Sequence, residues 1–375
     1  MWSLIFHSTY KKPVILAGSG VRSANAVDML QDFVKKTNIP LLTTMNAVDI
    51  AQGDIHIGFI GTHGNRVANM ILNEADIVIS IGARLGIRQV GRTTKKFAPN
   101  ADLVRCDIDE YELSRNIKKD EKKYHTDARD FMRILMTEHV GDFTNWRKKC
   151  IAAKRILEDY DKQPGNLAVE KIAKLLPENP IVSVDVGMNQ CWCAQSLELK
   201  GNKGRILISG GYGTMGCALP YAIGSSVASG KKRIYCISGD GGLQMNIQEL
   251  ETVKRENLPI KIIVLNNHVL GKISETQHLE LDNRYANTTF SSGYTVPDFC
   301  RISEAYGIRS IKLNSYKELD KIEDWLYDNI PCLIDIKLPE NSLLTPKIQF
   351  ETQKVRPELD DKVVFRVKEL FQAEK

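Results

Sequence analysis

The chain alternates short apolar runs rich in β-branched residues with segments of helical periodicity, beginning at Pro13. Apolar runs flanked by glycine are typical of parallel strands that are buried on both faces. Amphipathic patterns, for example at residues 23–36 and 245–256, separate these runs and indicate helices. The predicted strands are residues 14–17, 41–44, 77–81, 103–108, 181–186, 206–209, 234–238, 260–265 and 332–336. The sequence therefore predicts an α/β protein with doubly wound, mainly parallel sheets.

A chain of 375 residues exceeds the usual size of one domain, so we expect two. Residues 141–165 are rich in lysine and end in Pro164-Gly165, which is typical of an exposed connector. We predict a Rossmann-like or flavodoxin-like domain at residues 1–140 and a linker at 141–165. A second doubly wound domain is predicted at 166–345, followed by a charged C-terminal extension at 346–375.

The composition excludes several classes of protein. The 51 basic and 46 acidic residues are spread along the chain, whereas a nucleic-acid binder would concentrate its basic residues on one face. The eight cysteines lack the spacing of a zinc site, so we expect reduced thiols. No apolar stretch approaches the roughly 20 residues that span a bilayer, and residues 1–13 make a poor signal peptide. We expect a soluble, cytoplasmic protein that binds neither nucleic acid nor membranes.

A glycine-rich acidic motif follows one predicted strand, and an asparagine pair follows another. Gly239-Asp240-Gly241-Gly242 comes directly after the strand at 234–238, and Asn266-Asn267 follows the strand at 260–265. Open α/β sheets bind ligands beyond the carboxyl ends of their strands. Asp240 and Asn267 offer the oxygen ligands that Mg²⁺ prefers, and the glycines let backbone N–H groups approach a phosphate. The alternative is a tight turn at Asp240 and an asparagine pair that caps a helix.

With 24 residues between the GDG and NN motifs, the chain resembles the thiamine diphosphate (ThDP) enzymes, and acetolactate synthase in particular. The resemblance implies a metal ion held by Asp240, by Asn267 and by the backbone carbonyl of Val269. It also implies that the cofactor diphosphate lies against the glycines of the first motif, Gly239, Gly241 and Gly242.

Residues 209–220, SGGYGTMGCALP, look like the acetolactate synthase segment that holds the cofactor aminopyrimidine. The resemblance implies that the Gly213 carbonyl accepts a hydrogen bond from the exocyclic amine. It also implies that Met215 wedges beneath the cofactor and bends it, so that the amine lies beside the thiazolium C2. A glycine-rich helix start with a core methionine is the alternative.

Residues 185–192, DVGMNQCW, match the other phosphate-side loop of the family. The resemblance implies cofactor contacts from Val186, Gly187 and Asn189. Here the sequence departs from acetolactate synthase, because Met188 and Asn189 stand where glutamine and histidine are typical. Asn189 can still donate a hydrogen bond, whereas Met188 cannot.

A second departure follows the asparagine pair. Residues 268–276, HVLGKISET, lack the acidic pair and the tryptophan that are typical of the synthase substrate channel. ThDP binding is compatible with this change, but the second substrate is left open. Lys272 or Glu275 either faces the substrate or is a solvated helix residue.

The first predicted strand is followed by Gly18-Ser19-Gly20, which opens a helix as a dinucleotide motif would, but Ser23 replaces its third glycine. Residues 61–64 and 82–84 also resemble acetolactate synthase. In true synthases, the resemblance implies, the segments equivalent to these three surround a structural FAD, whereas other family members bind a different nucleotide or none. Gly86 replaces an acidic residue that is typical of the FAD loop. The alternative is that His63 is an ordinary loop histidine and that Arg84 forms a surface salt bridge. The implied nucleotide contacts are Gly18, Gly20, His63, Gly82 and Arg84.

The family ordinarily begins with a further α/β domain that carries the glutamate that activates the cofactor, and no segment of this sequence matches that domain. We expect a separate chain or a longer form of the protein to supply it, so that this chain alone turns over little. The family geometry also implies a homo-oligomer, because the ThDP site forms between subunits.

The sequence thus predicts a ThDP- and Mg²⁺-dependent carbon–carbon lyase or transferase that acts on a 2-oxo acid such as pyruvate. The alternative is a non-catalytic or truncated module that binds ThDP or a nucleotide. A NAD-dependent oxidoreductase is disfavoured, because no catalytic histidine or Tyr-Lys arrangement accompanies the glycine motif.

Overall fold

Two parallel β-sheets of six strands each organise the chain in the computed structural model, which describes Ile5, residues 9–349 and residues 354–372. The chain divides into two units. The first comprises Met1–Asp161 together with Thr345–Lys375, and the second is Lys162–Leu344. Each sheet carries helices as a doubly wound fold does, so the predicted fold class is confirmed. No helix of the described part of the chain is long and apolar enough to cross a membrane.

The first sheet has the strand order β3-β2-β1-β4-β5-β6, and every neighbouring pair is parallel. Its strands are β1 (Pro13–Ala17), β2 (Leu41–Thr43), β3 (His56–Phe59), β4 (Ile77–Ile81), β5 (Asp102–Asp107) and β6 (Lys122–His125). Its helices are α1 (Gly20–Ser23), α2 (Val27–Thr37), α3 (Arg66–Glu74), α4 (Ile87–Val90), α5 (Glu110–Ser114), α6 (Ala128–Thr137) and α7 (Thr144–Leu157). Short 3₁₀ turns lie at Met45–Ala47, Gly53–Ile55 and Thr94–Lys96. Apolar side chains of β1 and β4 are fully buried in two clusters of this unit.

The helix predicted at residues 23–36 is broken in the structure. Only its first residue, Ser23, belongs to a helix there, as the last residue of α1, and α2 begins at Val27. Asn25 lies between them with a φ of 52°, in the left-handed region that ends helices. Asparagine tolerates this conformation better than most residues, so the break has a local cause.

The second sheet has the strand order β11-β12-β10-β9-β7-β8 and is also parallel throughout. Its strands are β7 (Ile181–Val184), β8 (Arg205–Ile208), β9 (Ile234–Gly239), β10 (Ile260–Asn266), β11 (Arg309–Leu313) and β12 (Cys332–Lys337). Its helices are α8 (Pro164–Leu175), α9 (Met188–Ser196), α10 (Ala218–Ala228), α11 (Asp240–Gln244), α12 (Leu250–Arg255), α13 (Gly271–Glu280), α14 (Phe299–Ala305) and α15 (Glu323–Tyr327). The 3₁₀ turns are Ile247–Glu249, Phe290–Ser292 and Tyr316–Ile322.

The order of the second sheet creates a switch point beside β7. The chain passes from β7 outward to β8 and then returns to β9 on the opposite side of β7. The crevice at the carboxyl ends of β7 and β9 is where a doubly wound sheet binds its ligand. Strand β10 pairs with the other edge of β9, so the segments that follow β7, β9 and β10 meet at one end of the sheet.

The chain returns to the first unit at its C-terminus. A short antiparallel pair, β13 (Lys347–Ile348) and β14 (Val355–Arg356), precedes helix α16 (Asp361–Gln372). Helix α16 packs on α7, where the rings of Phe371 and Trp146 lie 5.6 Å apart. Arg66 fixes the C-terminal segment to the rest of the first unit, because its guanidinium pairs with Asp161 and donates to the Pro357 carbonyl at 2.8 Å.

This arrangement corrects the prediction of an exposed connector at residues 141–165. The middle of that stretch is α7, which buries four side chains in the first core: Trp146, Cys150, Ala153 and Leu157. These four residues recur at helical spacing and form one apolar stripe. Because lysines and arginines occupy the other positions, the overall composition of the stretch resembles that of an exposed connector. The stretch at 346–375, predicted as an extension, contributes Val367 and Phe371 to the same core.

Candidate cofactor site

Three segments converge at the carboxyl end of the second sheet. The Gly239-Asp240 turn ends β9, the Asn266-Asn267 pair ends β10, and Asp185 directly follows β7. In the sheet register Gly239 lies opposite Leu265, and Ile237 lies opposite Val184. The parallel sheet therefore brings together the two motifs that are separated by 24 residues in the sequence.

Asp240 is buried and holds its carboxylate in a fixed network. Its Oδ1 accepts hydrogen bonds from the Gly241 N–H at 2.6 Å and from the Tyr294 hydroxyl at 2.8 Å. Its Oδ2 accepts from the His268 N–H at 2.8 Å. Burial raises the pKa of the Asp240 carboxyl, and these hydrogen bonds oppose the rise. Burial, and then the negative charge of Asp240, raise the pKa of Tyr294, so the hydroxyl remains a donor.

The two asparagines have different surroundings. Asn266 lies within the sheet, where its Nδ2 donates to Oδ1 of Asp335 at 3.0 Å. Asn267 is buried beyond the strand end, at the start of the turn that leads to α13. His268 adopts a φ of 58°, and the Val269 carbonyl accepts from the Gly271 N–H at 2.7 Å. One lone pair of this carbonyl therefore remains for a further ligand.

Gly241 lies where several groups approach the backbone closely. A Cβ at this position would lie 2.6 Å from Cδ2 of Leu270 and 2.8 Å from Cε of Met215. The methyl group of Met215 therefore packs against the GDG motif, while 40% of the residue remains exposed. At Gly242 an added Cβ would lie 2.9 Å from Oδ1 of Asp185. The glycines of the motif are needed for these close approaches.

Asp185 ties the Met215 segment to the end of β7. The residue is only 1% exposed. Its Oδ1 accepts from the Gly216 N–H at 2.8 Å, and its Oδ2 accepts from the Ala218 N–H at 3.0 Å. Burial raises the pKa of this carboxyl, and the backbone donors oppose the rise. Gly213 adopts a φ of 67° and Gly216 a φ of 89°, so two turns that favour glycine shape the segment on either side of Met215.

The predicted phosphate loop surrounds the start of α9. Asn189 is buried and donates through Nδ2 to the Asp185 carbonyl at 2.8 Å, so one of its two amide hydrogens is already in use. Gly187 precedes the helix with a φ of 128°. Met188 is also buried, and an added Cβ at Gly271 would lie 2.7 Å from its sulfur. The Met188 departure thus places an apolar side chain against the turn after Asn267.

The structure gives Glu275 a role that neither interpretation of the sequence included. The residue is 5% exposed, and its Oε1 accepts from the Leu344 N–H at 3.2 Å. Its Oε2 pairs with Nζ of Lys272 at 3.4 Å. Glu275 is therefore not a solvated helix residue, since it anchors the end of the second unit on α13.

Two family models match the chain. The thiamine pyrophosphate enzyme C-terminal TPP binding domain matches residues 185–336, and the thiamine pyrophosphate enzyme central domain matches residues 8–135. The chain belongs to the thiamine pyrophosphate enzyme family. Thiamine pyrophosphate is another name for ThDP, so the resemblance seen in the GDG and NN motifs is confirmed.

This family member is similar to large subunits of acetolactate synthase. It is 33% identical over 349 residues to the Lactococcus lactis protein, a match that covers 91% of this chain and 60% of the relative. It is 30% identical over 346 residues to isozyme 2 of Escherichia coli, covering 90% of this chain and 62% of the relative. For the Corynebacterium glutamicum protein the values are 34% over 360 residues, 90% and 56%. The chain thus spans about 60% of the length of these curated relatives.

Packing explains the glycines of the first unit in this TPP family member. An added Cβ at Gly18 would lie 2.0 Å from the Gly82 carbonyl oxygen, and one at Gly20 would lie 2.7 Å from the Gly82 Cα. Gly20 also donates its N–H to the Gly82 carbonyl at 3.0 Å. Arg84 is largely exposed and pairs with Glu112 at 2.7 Å, and His63 lies in the loop between β3 and α3. FAD at these residues stays a prediction from the resemblance.

The donor set at the second sheet fits a hard divalent cation. Among the described residues no group of three or more His, Cys, Asp and Glu side chains could hold a metal ion. One carboxylate, one amide oxygen and one backbone carbonyl nevertheless suit Mg²⁺, which takes few protein ligands and completes its octahedron with phosphate oxygens and water. Asp240, Asn267 and Val269 supply that combination at adjacent strand ends.

Sequence reasoning missed two residues of the site, Asp185 as an anchor and Tyr294. Asp185 is the first residue of the predicted phosphate loop, but the sequence does not reveal that its carboxylate bonds a segment 31 residues away. Tyr294 is separated from Asp240 by 54 positions and lies in no motif. Both act through tertiary contacts, so only the folded structure identifies them.

Proposed function

We propose that the second unit binds ThDP together with Mg²⁺ at the carboxyl ends of β7, β9 and β10. The observation that carries the proposal is the position of Asp240 and Asn267 at neighbouring strand ends beside the switch point. Met215 packs against the glycine motif at the same place. A turn and a helix cap alone would not require a buried carboxylate in this crevice, since burial of a charge is costly.

Different residues would bind the metal ion and the diphosphate of the cofactor. Asp240, Asn267 and the Val269 carbonyl would hold the metal ion. Backbone groups of residues 186–187 and 239–242, with the amide of Asn189, would contact the diphosphate. When bound, ThDP supplies the nucleophilic carbon and the electron sink for decarboxylation of a 2-oxo acid.

The segment around Met215 would orient the cofactor ring. The Gly213 carbonyl would accept from the exocyclic amine, and Met215 would support the bent form, which brings reacting groups into contact. Asp185 fixes this segment through the Gly216 and Ala218 N–H groups, so the wedge is held by a buried carboxylate.

The reaction we propose is that of an acetolactate synthase-like enzyme. A 2-oxo acid such as pyruvate loses CO₂, and the remaining two-carbon unit passes to an acceptor carbonyl or is released with a proton. The similarity to acetolactate synthase large subunits supports this choice. Turnover is proposed to need the pyrimidine-binding domain, in a homo-oligomer of a longer form or from a separate chain.

The test is pyruvate-dependent release of CO₂ in the presence of ThDP and Mg²⁺, with and without the purified N-terminal domain of an acetolactate synthase large subunit. We expect CO₂ release that rises when that domain is added. Asp240→Ala should abolish Mg²⁺-dependent cofactor binding and the activity. Met215→Ala should retain binding and lower the rate. Binding of ThDP without any CO₂ release, in both mixtures and with other 2-oxo acids, would instead indicate a non-catalytic module.

A further inference from the structure

The Tyr294 hydroxyl contacts the carboxylate that we assign to the metal. It donates to Oδ1 of Asp240 at 2.8 Å. The ring lies beside Gly241, where an added Cβ would be 3.1 Å from the hydroxyl oxygen. Tyr294 therefore lies at the corner formed by the GDG motif and Met215.

The segment at residues 287–294, named here the 287–294 loop, holds Tyr294 in place. The Thr288 carbonyl accepts from the Leu270 N–H at 2.9 Å, and the Thr288 hydroxyl donates to Oε1 of Gln277 at 2.5 Å. The Tyr294 N–H donates back to the Thr289 carbonyl at 2.9 Å. The loop thus fastens to the turn that follows Asn267 and, through Tyr294, to the turn that follows β9.

A count of acceptor positions on Asp240 shows what the tyrosine leaves available. Each carboxylate oxygen has two lone pairs. Both pairs of Oδ1 are used, by the Gly241 N–H and by the Tyr294 hydroxyl. Oδ2 accepts from the His268 N–H and keeps one pair. The carboxylate therefore turns a single acceptor position toward a further ligand.

We propose that Tyr294 is a positioning residue for the metal ion: it holds Oδ1 of Asp240 so that Oδ2 is the oxygen presented to the cation. The inference rests on the proposed function, since it concerns the same metal site. It adds a residue from the 287–294 loop that neither the GDG motif nor the NN motif contains. Tyr294 contacts a metal ligand and is not itself assigned to the reacting atoms.

The variant that tests this is Tyr294→Phe, which removes the hydroxyl and keeps the ring. Loss of a group that orients a metal ligand typically lowers metal affinity about 10- to 100-fold. With ThDP held constant, calorimetric titration of the full chain with Mg²⁺ should give a half-saturating concentration raised at least about tenfold. Saturating Mg²⁺ should then restore ThDP affinity, because the diphosphate contacts are unchanged.

Tyr235→Phe is the matched control. Tyr235 lies near the start of β9, the strand that ends in the GDG motif, and its hydroxyl donates to the Leu326 carbonyl at 2.8 Å. The variant therefore removes a hydroxyl hydrogen bond of the same length at the opposite end of the strand from the GDG motif. We expect it to leave the Mg²⁺ dependence unchanged. A tenfold shift in both variants would mean that loss of any hydrogen-bonded tyrosine hydroxyl in this unit loosens the site, and would overturn the assignment to Tyr294.

A second readout requires no ligand. In EDTA, Tyr294→Phe should lower the urea midpoint of unfolding in the wild-type background but not in the Asp240→Ala background, because the partner of the hydroxyl is then absent. Mg²⁺-dependent ThDP binding by wild type with an unchanged half-saturation in Tyr294→Phe would overturn this inference alone. Failure of wild type to bind ThDP with Mg²⁺ would overturn the proposed function from which it starts.

Discussion

Replacing Asp185 by asparagine tests whether a buried carboxylate holds the segment around Met215, which we propose orients the cofactor. Asparagine has the same shape but only one acceptor oxygen, which can keep the bonds from the Val186 and Gly216 N–H groups at 2.9 and 2.8 Å. Its amide nitrogen then faces the Ala218 N–H, which donates to Oδ2 at 3.0 Å in the wild type. Two donors would point at each other inside the protein.

The magnitude follows from these contacts. A hydrogen bond to a charged acceptor contributes about 1.5–3 kcal/mol, and an unsatisfied buried N–H costs about 1–3 kcal/mol, two figures that overlap for one group. Burial raises the pKa of Asp185, so the neutral asparagine avoids part of the desolvation cost of the carboxylate and recovers some of this loss. We expect a net decrease of about 2 kcal/mol in the free energy of unfolding.

Urea unfolding followed by circular dichroism measures this decrease. Calorimetry at saturating Mg²⁺ should in addition show that the affinity for ThDP is reduced at least about tenfold, which corresponds to a loss of about 1.4 kcal/mol of binding free energy. Asp320→Asn is the control, because its side chain is 60% exposed and its pair with Lys171 is a surface pair worth about 0–1 kcal/mol. The reasoning is refuted if Asp185→Asn matches that control in both stability and ThDP affinity.

Three further perturbations have defined outcomes. Gly241→Ala should weaken ThDP binding at least about tenfold in calorimetry, because its Cβ would lie 2.6 Å from a Leu270 atom, whereas Gly224→Ala has nothing within 4 Å and should bind as wild type. Burial, and then nearby Lys154, lower the pKa of His56 to about 3 from 6.5, so below pH 6.5 the unfolded chain binds a proton that the folded chain refuses. The contribution of neutral His56 to the free energy of unfolding is therefore fully present above pH 6.5 and is lost as the pH drops toward 3. Between these values the wild type should lose up to about 1.4 kcal/mol per pH unit more than His56→Asn, as measured by urea unfolding at several pH values. Asp328→Ala should lower the free energy of unfolding by about 2 kcal/mol, since it leaves Nζ of the fully buried Lys261 without its carboxylate; an effect under about 0.5 kcal/mol in urea unfolding would contradict this.

Most of the strands that could be predicted are buried on both faces, and the partly buried edge strand β8, with the sequence RILI, was predicted as well. Runs such as residues 77–81 and 260–265 are apolar throughout, and the structure places them inside the sheets. Strands β3, β6 and β11 of the two large sheets were missed, and all three lie at sheet edges. Strands β6 and β11 are largely polar, with the sequences KKYH and RSIKL, and β3 has only four residues, HIGF. An edge strand has one neighbour and more contact with solvent, so it does not need a continuous apolar run, and a polar edge strand gives no such signal in the sequence.

The site was predicted only where local sequence defines it. The GDG and NN motifs lie at strand ends, and a parallel sheet brings such ends together without further information. The contacts of Asp185 with Gly216 and of Tyr294 with Asp240 depend instead on how loops return over the sheet. The same limit applies to α7, whose apolar stripe was obscured by lysines on its other face.

Calorimetric titration of the purified chain with ThDP, first with Mg²⁺ and then with EDTA, tests the central claim most directly. The account predicts binding that depends on Mg²⁺, is abolished by the chelator and is absent from Asp240→Ala. Equal binding of ThDP in EDTA, or Mg²⁺-dependent binding retained by Asp240→Ala, would contradict the assignment of the metal site to the ends of β9 and β10.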